Sequence, residues 1–270
     1  MHIYTQISAE RRRFVEIMKK IIVTSAKGGI GKSTAALGIA AALAETGHRT
    51  LLVDCDIGNR CLDLMTGLED RVLYDLGDVA SNRCTAEQAL LSPEGMENLR
   101  FCAAPLRADA PMEAYTDALC RLTQAADAEY VLCDTAGTGA TVQAIAKGFA
   151  DGALVIATQQ PASIRSAEYT ATLMREWGEL PCLLVISMFE EYAAADGIRA
   201  GLLEIIDKTH IRTVGVIPRD RALLLAQEAG RLPDAKGRAA RAMKNIAARL
   251  TGDDVPLFTG IRGIKTGKVL

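Results

Sequence analysis

Residues 26–34 read Ala26-Lys27-Gly28-Gly29-Ile30-Gly31-Lys32-Ser33-Thr34 and follow the apolar run Ile21-Ile22-Val23. A strand that ends in a glycine-rich turn and opens into a helix aims successive backbone N–H groups at one spot. The helix dipole adds positive potential there. Gly28, Gly29 and Gly31 remove side chains that would keep a polyphosphate from that backbone, and the cradle runs from Lys27 through Ile30 to Thr34. In this pattern the Lys32 ammonium reaches the β- and γ-phosphates and the Ser33 hydroxyl ligates Mg²⁺. The common form G-x-x-x-x-G-K-[ST] has glycine where this chain has Ala26, and Lys27 is a second lysine at the start of the loop.

Two further strand ends carry acids. Asp54-Cys55-Asp56 closes the run Thr50–Cys55, and Tyr130-Val131-Leu132-Cys133 ends in Asp134. Acids one residue apart point to opposite sides of a strand, but at its end they can share one cavity. Asp134 on an apolar strand is the form that holds Mg²⁺ directly or through water, and Asp134-Thr135-Ala136-Gly137 places a glycine amide where it can sense a γ-phosphate. Loop and acids together point to ATP with Mg²⁺.

Around these motifs the pattern is regular. Short apolar runs recur at Leu99–Ala103, Ala153–Thr158, Leu183–Ser187 and Val214–Ile217, as expected of strands covered on both faces. Helical stretches fill the gaps: Ser33–Thr46, Met112–Ala126, Thr141–Phe149, Ser163–Trp177, Gly197–Lys208, Arg221–Glu228 and Lys236–Leu250. The predicted fold is α/β: one three-layer domain, a twisted, mostly parallel sheet flanked by helices, with its ligand at the carboxyl ends of the strands.

The chain has 270 residues, 49% of them hydrophobic, and a net charge of −2, so no global field draws it to nucleic acid or anionic lipid. From Arg231 to Leu270, however, nine Lys/Arg face three Asp. The seven cysteines show no C-x-C or C-x-x-C spacing, which speaks against metal ligation and a disulfide framework and fits small core residues in a reducing cytosol. No apolar run approaches the roughly 20 residues that span a bilayer.

The pattern K-G-G-x-G-K-[ST] resembles the MinD/ParA family of deviant Walker A P-loop ATPases. Asp54-Cys55-Asp56-Ile57-Gly58-Asn59-Arg60-Cys61-Leu62-Asp63-Leu64 is similar to the MinD version of that family's switch segment, D-x-D-I-G-x-R-x-L-D-L, with Cys61 where asparagine is usual. The likeness continues in Thr158-Gln159-Gln160-Pro161-Ala162-Ser163 and in Val214-Gly215-Val216-Ile217-Pro218, and covers about Met18 to Leu250. It implies catalytic roles for Lys27, Lys32 and Asp56: Lys27 touches phosphates bound by a second copy, and Asp56 orients the attacking water. It also implies that Ser33, Asp54 and Asp134 serve the metal, and that Pro218 and Arg219 close over the adenine.

Residues 1–17 are then an N-terminal extension, flexible and basic, 18–250 the ATPase domain, and 251–270 a tail. In that tail Leu257, Ile261 and Ile264 share one helical face, but Gly260, Gly263 and Gly267 each cost a helix about 1 kcal/mol. The resemblance implies a cytoplasmic homodimer with ATP sandwiched between the copies, slow hydrolysis stimulated by a regulatory protein, and a role in division-site selection. Peripheral contact with the inner face of the cell membrane in the ATP-bound form is a further expectation. The alternative is a ParA-like partition or polar cargo-positioning ATPase, in which Arg238, Arg241, Lys244 and Arg249 would meet DNA phosphates non-specifically.

Overall fold

The computed structural model describes residues 18–231 and 236–257. The expected N-terminal extension, and the tail beyond residue 257 with its apolar face, lie outside the described residues.

Seven strands form one parallel sheet in the order β3-β2-β4-β1-β5-β6-β7. They are β1 (Lys20–Thr24), β2 (Thr50–Asp54), β3 (Leu99–Cys102), β4 (Tyr130–Asp134), β5 (Gly152–Ala157), β6 (Cys182–Phe189) and β7 (Arg212–Pro218). Because every pairing is parallel, all carboxyl ends lie along one edge. There the register sets Asp134 beside Val23 of β1 on one side and beside Asp54 of β2 on the other.

Each expected strand lies within about two residues of its observed limits. The larger differences are in the helices. After the loop, α1 (Lys32–Glu45) is an alanine-rich helix buried nearly all round. Its small side chains let the sheet approach on one side and a C-terminal helix, Arg238–Leu250, on the other: a Cβ on Gly38 would lie 2.0 Å from Met243 Sδ. The short α2 (Leu62–Thr66), α3 (Leu76–Ala80) and α4 (Ala86–Ala89) were not expected. At four or five residues they are too short to show a helical period, though Asp75 opens α3 with a reciprocal capping box.

Then come α5 (Met112–Ala125), α6 (Ala140–Gly148) and α7 (Pro161–Gly178), the last starting at the proline itself, where a missing N–H costs nothing. The helix expected over Gly197–Lys208 starts only at Leu202, as α9 (Leu202–Thr209); before it come α8 (Glu191–Ala195), which was not expected, and an irregular turn. Gly197 takes φ +69°, outside the helical region, and lies in that turn. Last are α10 (Arg221–Glu228) and α11 (Arg238–Leu250).

Alternate residues of each strand feed opposite faces. Ile21 and Val23 pack with α1 and α11, and Ile22 packs with α3, α5 and α6. Met18 is fully buried in the first of these clusters, so the core reaches the first described residue.

Candidate functional site

The loop between β1 and α1 is shaped by two left-handed glycines. Gly29 has φ +69° and Gly31 has φ +86°, a region costly for residues with a Cβ. Gly31 is also confined by contact, because a Cβ there would lie 2.8 Å from Ser187 Oγ at the end of β6. Ala26 is not left-handed, so the departure from glycine at that position introduces no strain. Its N–H donates to Thr170 Oγ1 of α7 at 3.0 Å, which ties the start of the loop to a neighbouring helix.

The two lysines point to different places. Lys32 Nζ lies 3.4 Å from the Lys27 carbonyl, folded back over the loop it would serve. Lys27 Nζ donates to Gln160 Oε1, at the residue that precedes α7. Gln160 is exposed, so this lysine sits at the rim of the cleft.

Asp134 ends β4 almost wholly buried, and neither of its carboxylate oxygens has a hydrogen-bond partner among the described residues. Burial pushes its pKa up to about 7; the nearby Ser33 hydroxyl and the Lys32 charge pull the other way. An unpaired, buried carboxylate beside a serine hydroxyl is the hard-oxygen donor set that Mg²⁺ takes when phosphates and water fill its remaining positions. Among the described residues no cluster of three or more His, Cys, Asp or Glu could hold a metal ion unaided.

Asp54 is also buried, but its oxygens are engaged. One accepts from the Asp56 N–H at 3.0 Å, the other from Cys61 and Leu62 N–H at 3.0 and 3.2 Å. It thereby clamps the loop between β2 and α2, and burial raises its pKa to about 6 despite these three bonds. Asp56 is half-buried and accepts from Asn59 Nδ2. Arg60 pairs with the buried Asp63 at 2.8 Å, which holds the same segment from its far end. Cys61 faces the site. Burial, opposed by the Ser33 hydroxyl and reinforced by Asp54 and Asp134, raises its thiol pKa to about 11.

On the other side of the loop, the Gly137 carbonyl accepts from Thr24 Oγ1 at 2.6 Å, which anchors the turn after β4 to the end of β1. Pro218 ends β7. Arg219 donates its N–H to the Phe189 carbonyl and its guanidinium to Glu190, so it is held against the end of β6. The site therefore gathers residues 27–34, Asp54, Asp56, Asp134 and Gly137 around one loop, with Pro218 and Arg219 at the neighbouring strand ends.

Sequence reading missed several supporting polar groups. Gln159 is buried and makes three bonds, to the Glu190 N–H, the Glu190 carbonyl and the Ala200 carbonyl, fixing the segment after β6. Ser187, Thr170 and Gln160 each touch the loop from outside it. Gln159 and Gln160 lie in a segment that carries the family likeness, but the sequence does not show what they touch, since each acts through a contact made at long range.

The basic patch on α11 differs from expectation. Arg238 pairs with Glu191 and Lys244 with Glu45, while Arg249 is half-buried with its guanidinium on the Val255 carbonyl. Helical spacing put these side chains on neighbouring faces, but tertiary packing gives three of the four a partner.

A parallel sheet with a glycine-rich loop after its central strand, two lysines and an unpaired acid at the adjacent strand end defines a P-loop nucleotide-binding protein. Residues 21–233 match the CobQ/CobB/MinD/ParA nucleotide binding domain. Within that class the chain belongs to the MinD/ParA family, with its relatives among the MinD proteins. It is 32% identical over 243 residues to septum site-determining protein MinD of Bacillus subtilis, covering 88% of this chain and 90% of that one. It is also 32% identical over 254 residues to MinD of Escherichia coli strain K12, covering 87% and 92%. Among solved structures, MinD in the MinC:MinD cell division complex of Aquifex aeolicus superposes with a TM-score of 0.81 at 28% identity, covering 89% of this chain and 98% of that one. MinD of Pyrococcus horikoshii, solved with Mg-ADP, shares the fold at 19% identity and a TM-score of 0.73, covering 86% and 95%.

Proposed function

We propose that this chain is a MinD-like ATP hydrolase whose nucleotide-driven pairing acts as a spatial switch in division-site selection. The observation that carries the reading is Lys27, a second loop lysine whose ammonium rests at the exposed rim of the cleft on Gln160. A cation so placed is within reach of a second copy, and charge supplied in trans makes hydrolysis depend on pairing.

In this reading the backbone from Lys27 to Thr34 and the Lys32 ammonium hold the triphosphate. Ser33 and Asp134 hold Mg²⁺, with Asp54 behind them. The metal supplies charge neutralisation on the transferred phosphoryl group. Asp56 orients the attacking water, the Gly137 amide reports the γ-phosphate, and Pro218 with Arg219 borders the base. Lys27 of each copy completes the cleft of the other. Turnover is slow until a regulatory protein binds, and the MinC:MinD complex of A. aeolicus supports a MinC-like protein as one partner.

We place the protein in the cytoplasm, as one domain over residues 18–250. The ATP-bound pair holds the inner face of the membrane through the segment from 251 onward; among the described residues no helix is long and apolar enough to cross a bilayer. Sedimentation with anionic vesicles tests this, and a protein absent from the pellet with and without ATP would end it. The ParA-like alternative of non-specific DNA binding is disfavoured by the ion pairs on α11, and a gel shift with random duplex at low and high salt separates the two.

The decisive experiment is size-exclusion with light scattering on Asp56→Ala plus Mg-ATP. A trapped dimer is expected. A monomer that holds ATP and never pairs would overturn the scheme.

A further inference from the structure

Gln227, on α10, is 8% exposed. Its Oε1 accepts from Thr34 Oγ1 at 3.1 Å, and its Nε2 is buried without a hydrogen-bond partner among the described residues. A buried amide donor left unmade is uncommon in folded proteins, because water satisfied it before folding. The environment gives this one a direction. Thr34 lies one residue beyond the magnesium-side Ser33 along α1, away from the loop residues assigned to the β- and γ-phosphates. The helix that bears Gln227 opens two residues after Arg219, the candidate border of the base. Gln227 itself is in the last turn of that helix, so the orphan donor sits beside the first turn of α1, just past the residues of the phosphate cradle.

We infer that Gln227 is a nucleotide-binding residue, with its side-chain amide donating to an acceptor on the nucleoside side of the ligand: the α-phosphate, ribose or base. Thr34 holds the other end of the amide and so orients it. This rests on the ATP-binding reading above. Sequence spacing gave no hint of it, because Thr34 and Gln227 are 193 positions apart.

The test is calorimetric titration of the full chain with Mg-ADP and, separately, with magnesium tripolyphosphate, which has no nucleoside. Gln227→Leu and the more nearly isosteric Gln227→Met are compared with the unsubstituted protein. Each variant is expected to bind Mg-ADP about tenfold more weakly and tripolyphosphate within about twofold of the unsubstituted chain. The ligand-free melting temperature should change little, since removal of the buried orphan donor offsets the acceptor lost to Thr34 Oγ1. Unchanged Mg-ADP affinity in both variants would overturn the inference. So would equal loss of both ligands with a lowered ligand-free melting temperature, which marks a merely structural glutamine. If the unsubstituted chain binds neither Mg-ADP nor Mg-ATP, the nucleotide reading itself fails, and the inference with it.

Discussion

Lys27 Nζ and Gln160 Oε1 form a hydrogen bond that joins the phosphate loop to the residue before α7, within one chain. For Lys27 to meet phosphates held by a second copy, this bond must break, so Gln160 competes with pairing. Lys27→Ala should keep Mg-ATP binding while losing ATP-driven dimers. Gln160→Ala should shift the opposite way, with half-dimerisation at about threefold lower protein concentration, the modest scale of an exposed contact to a charged group. Analytical ultracentrifugation with Mg-ATP reads both, and an unshifted or weaker Gln160→Ala dimer would contradict the competition.

Gly31 meets two constraints, a φ of +86° and the Ser187 hydroxyl 2.8 Å from where a Cβ would stand. Gly31→Ala should lower stability by about 1–3 kcal/mol and abolish nucleotide binding, since relief moves the N–H groups of the cradle. Adding Ser187→Gly should restore only part of the stability, because the backbone strain remains. Urea denaturation of single and double variants measures the split.

Asp54 and Asp134 hold protons more tightly when folded, at about 6 and about 7, than the ordinary 3.8 of an unfolded aspartate. For such groups the folding advantage is full below about pH 4 and is lost as pH rises through 6 to 7. The ligand-free protein should therefore lose stability between about pH 4 and about pH 7, and Asp134→Asn should flatten part of that decline. Binding of Mg²⁺ with nucleotide needs the charged Asp134, so it should release protons and tighten up to about pH 7. Melting curves at several pH values, with titrations in two buffers of different ionisation enthalpy, check both signs.

Cys61 lies at the site with its thiol pKa raised to about 11, so it is a poor nucleophile at neutral pH. Alkylation should be slow at pH 7, speed up with rising pH, and be blocked by Mg-ADP because the Ser33 side of the cleft is then covered. Peptide mass mapping after iodoacetamide follows the rate at this position. Equal labelling with and without Mg-ADP would place Cys61 away from the ligand.

The sequence showed most of the architecture because it rests on short-range pattern. Runs such as Tyr130–Cys133 are apolar throughout, as a strand covered on both faces must be, and the glycines and lysines of residues 27–32 carry their chemistry in their spacing. What stayed hidden depends on register and distant contact. Nothing local tells that Asp134 will sit between Val23 and Asp54, or that Asp54 will turn its oxygens to the N–H groups of Asp56, Cys61 and Leu62. The late start of α9 was missed because nothing local shows that Gly197 is left-handed and that the chain stays irregular as far as Gly201. Arg238 and Lys244 of α11 looked free because their acids, Glu191 and Glu45, come from far along the chain.

Gly67 caps α2 and Gly230 follows α10, and they meet backbone to backbone: a Cβ on Gly67 would lie 2.7 Å from the Gly230 carbonyl oxygen. With no side chain between them to absorb displacement, a shift in the Asp56-bearing segment has a direct mechanical route to α10. Leu224 on that helix is 55% exposed and offers an attachment point for an environment-sensitive dye. Its emission would then follow the hydrolysis clock from a distance, without touching a phosphate ligand.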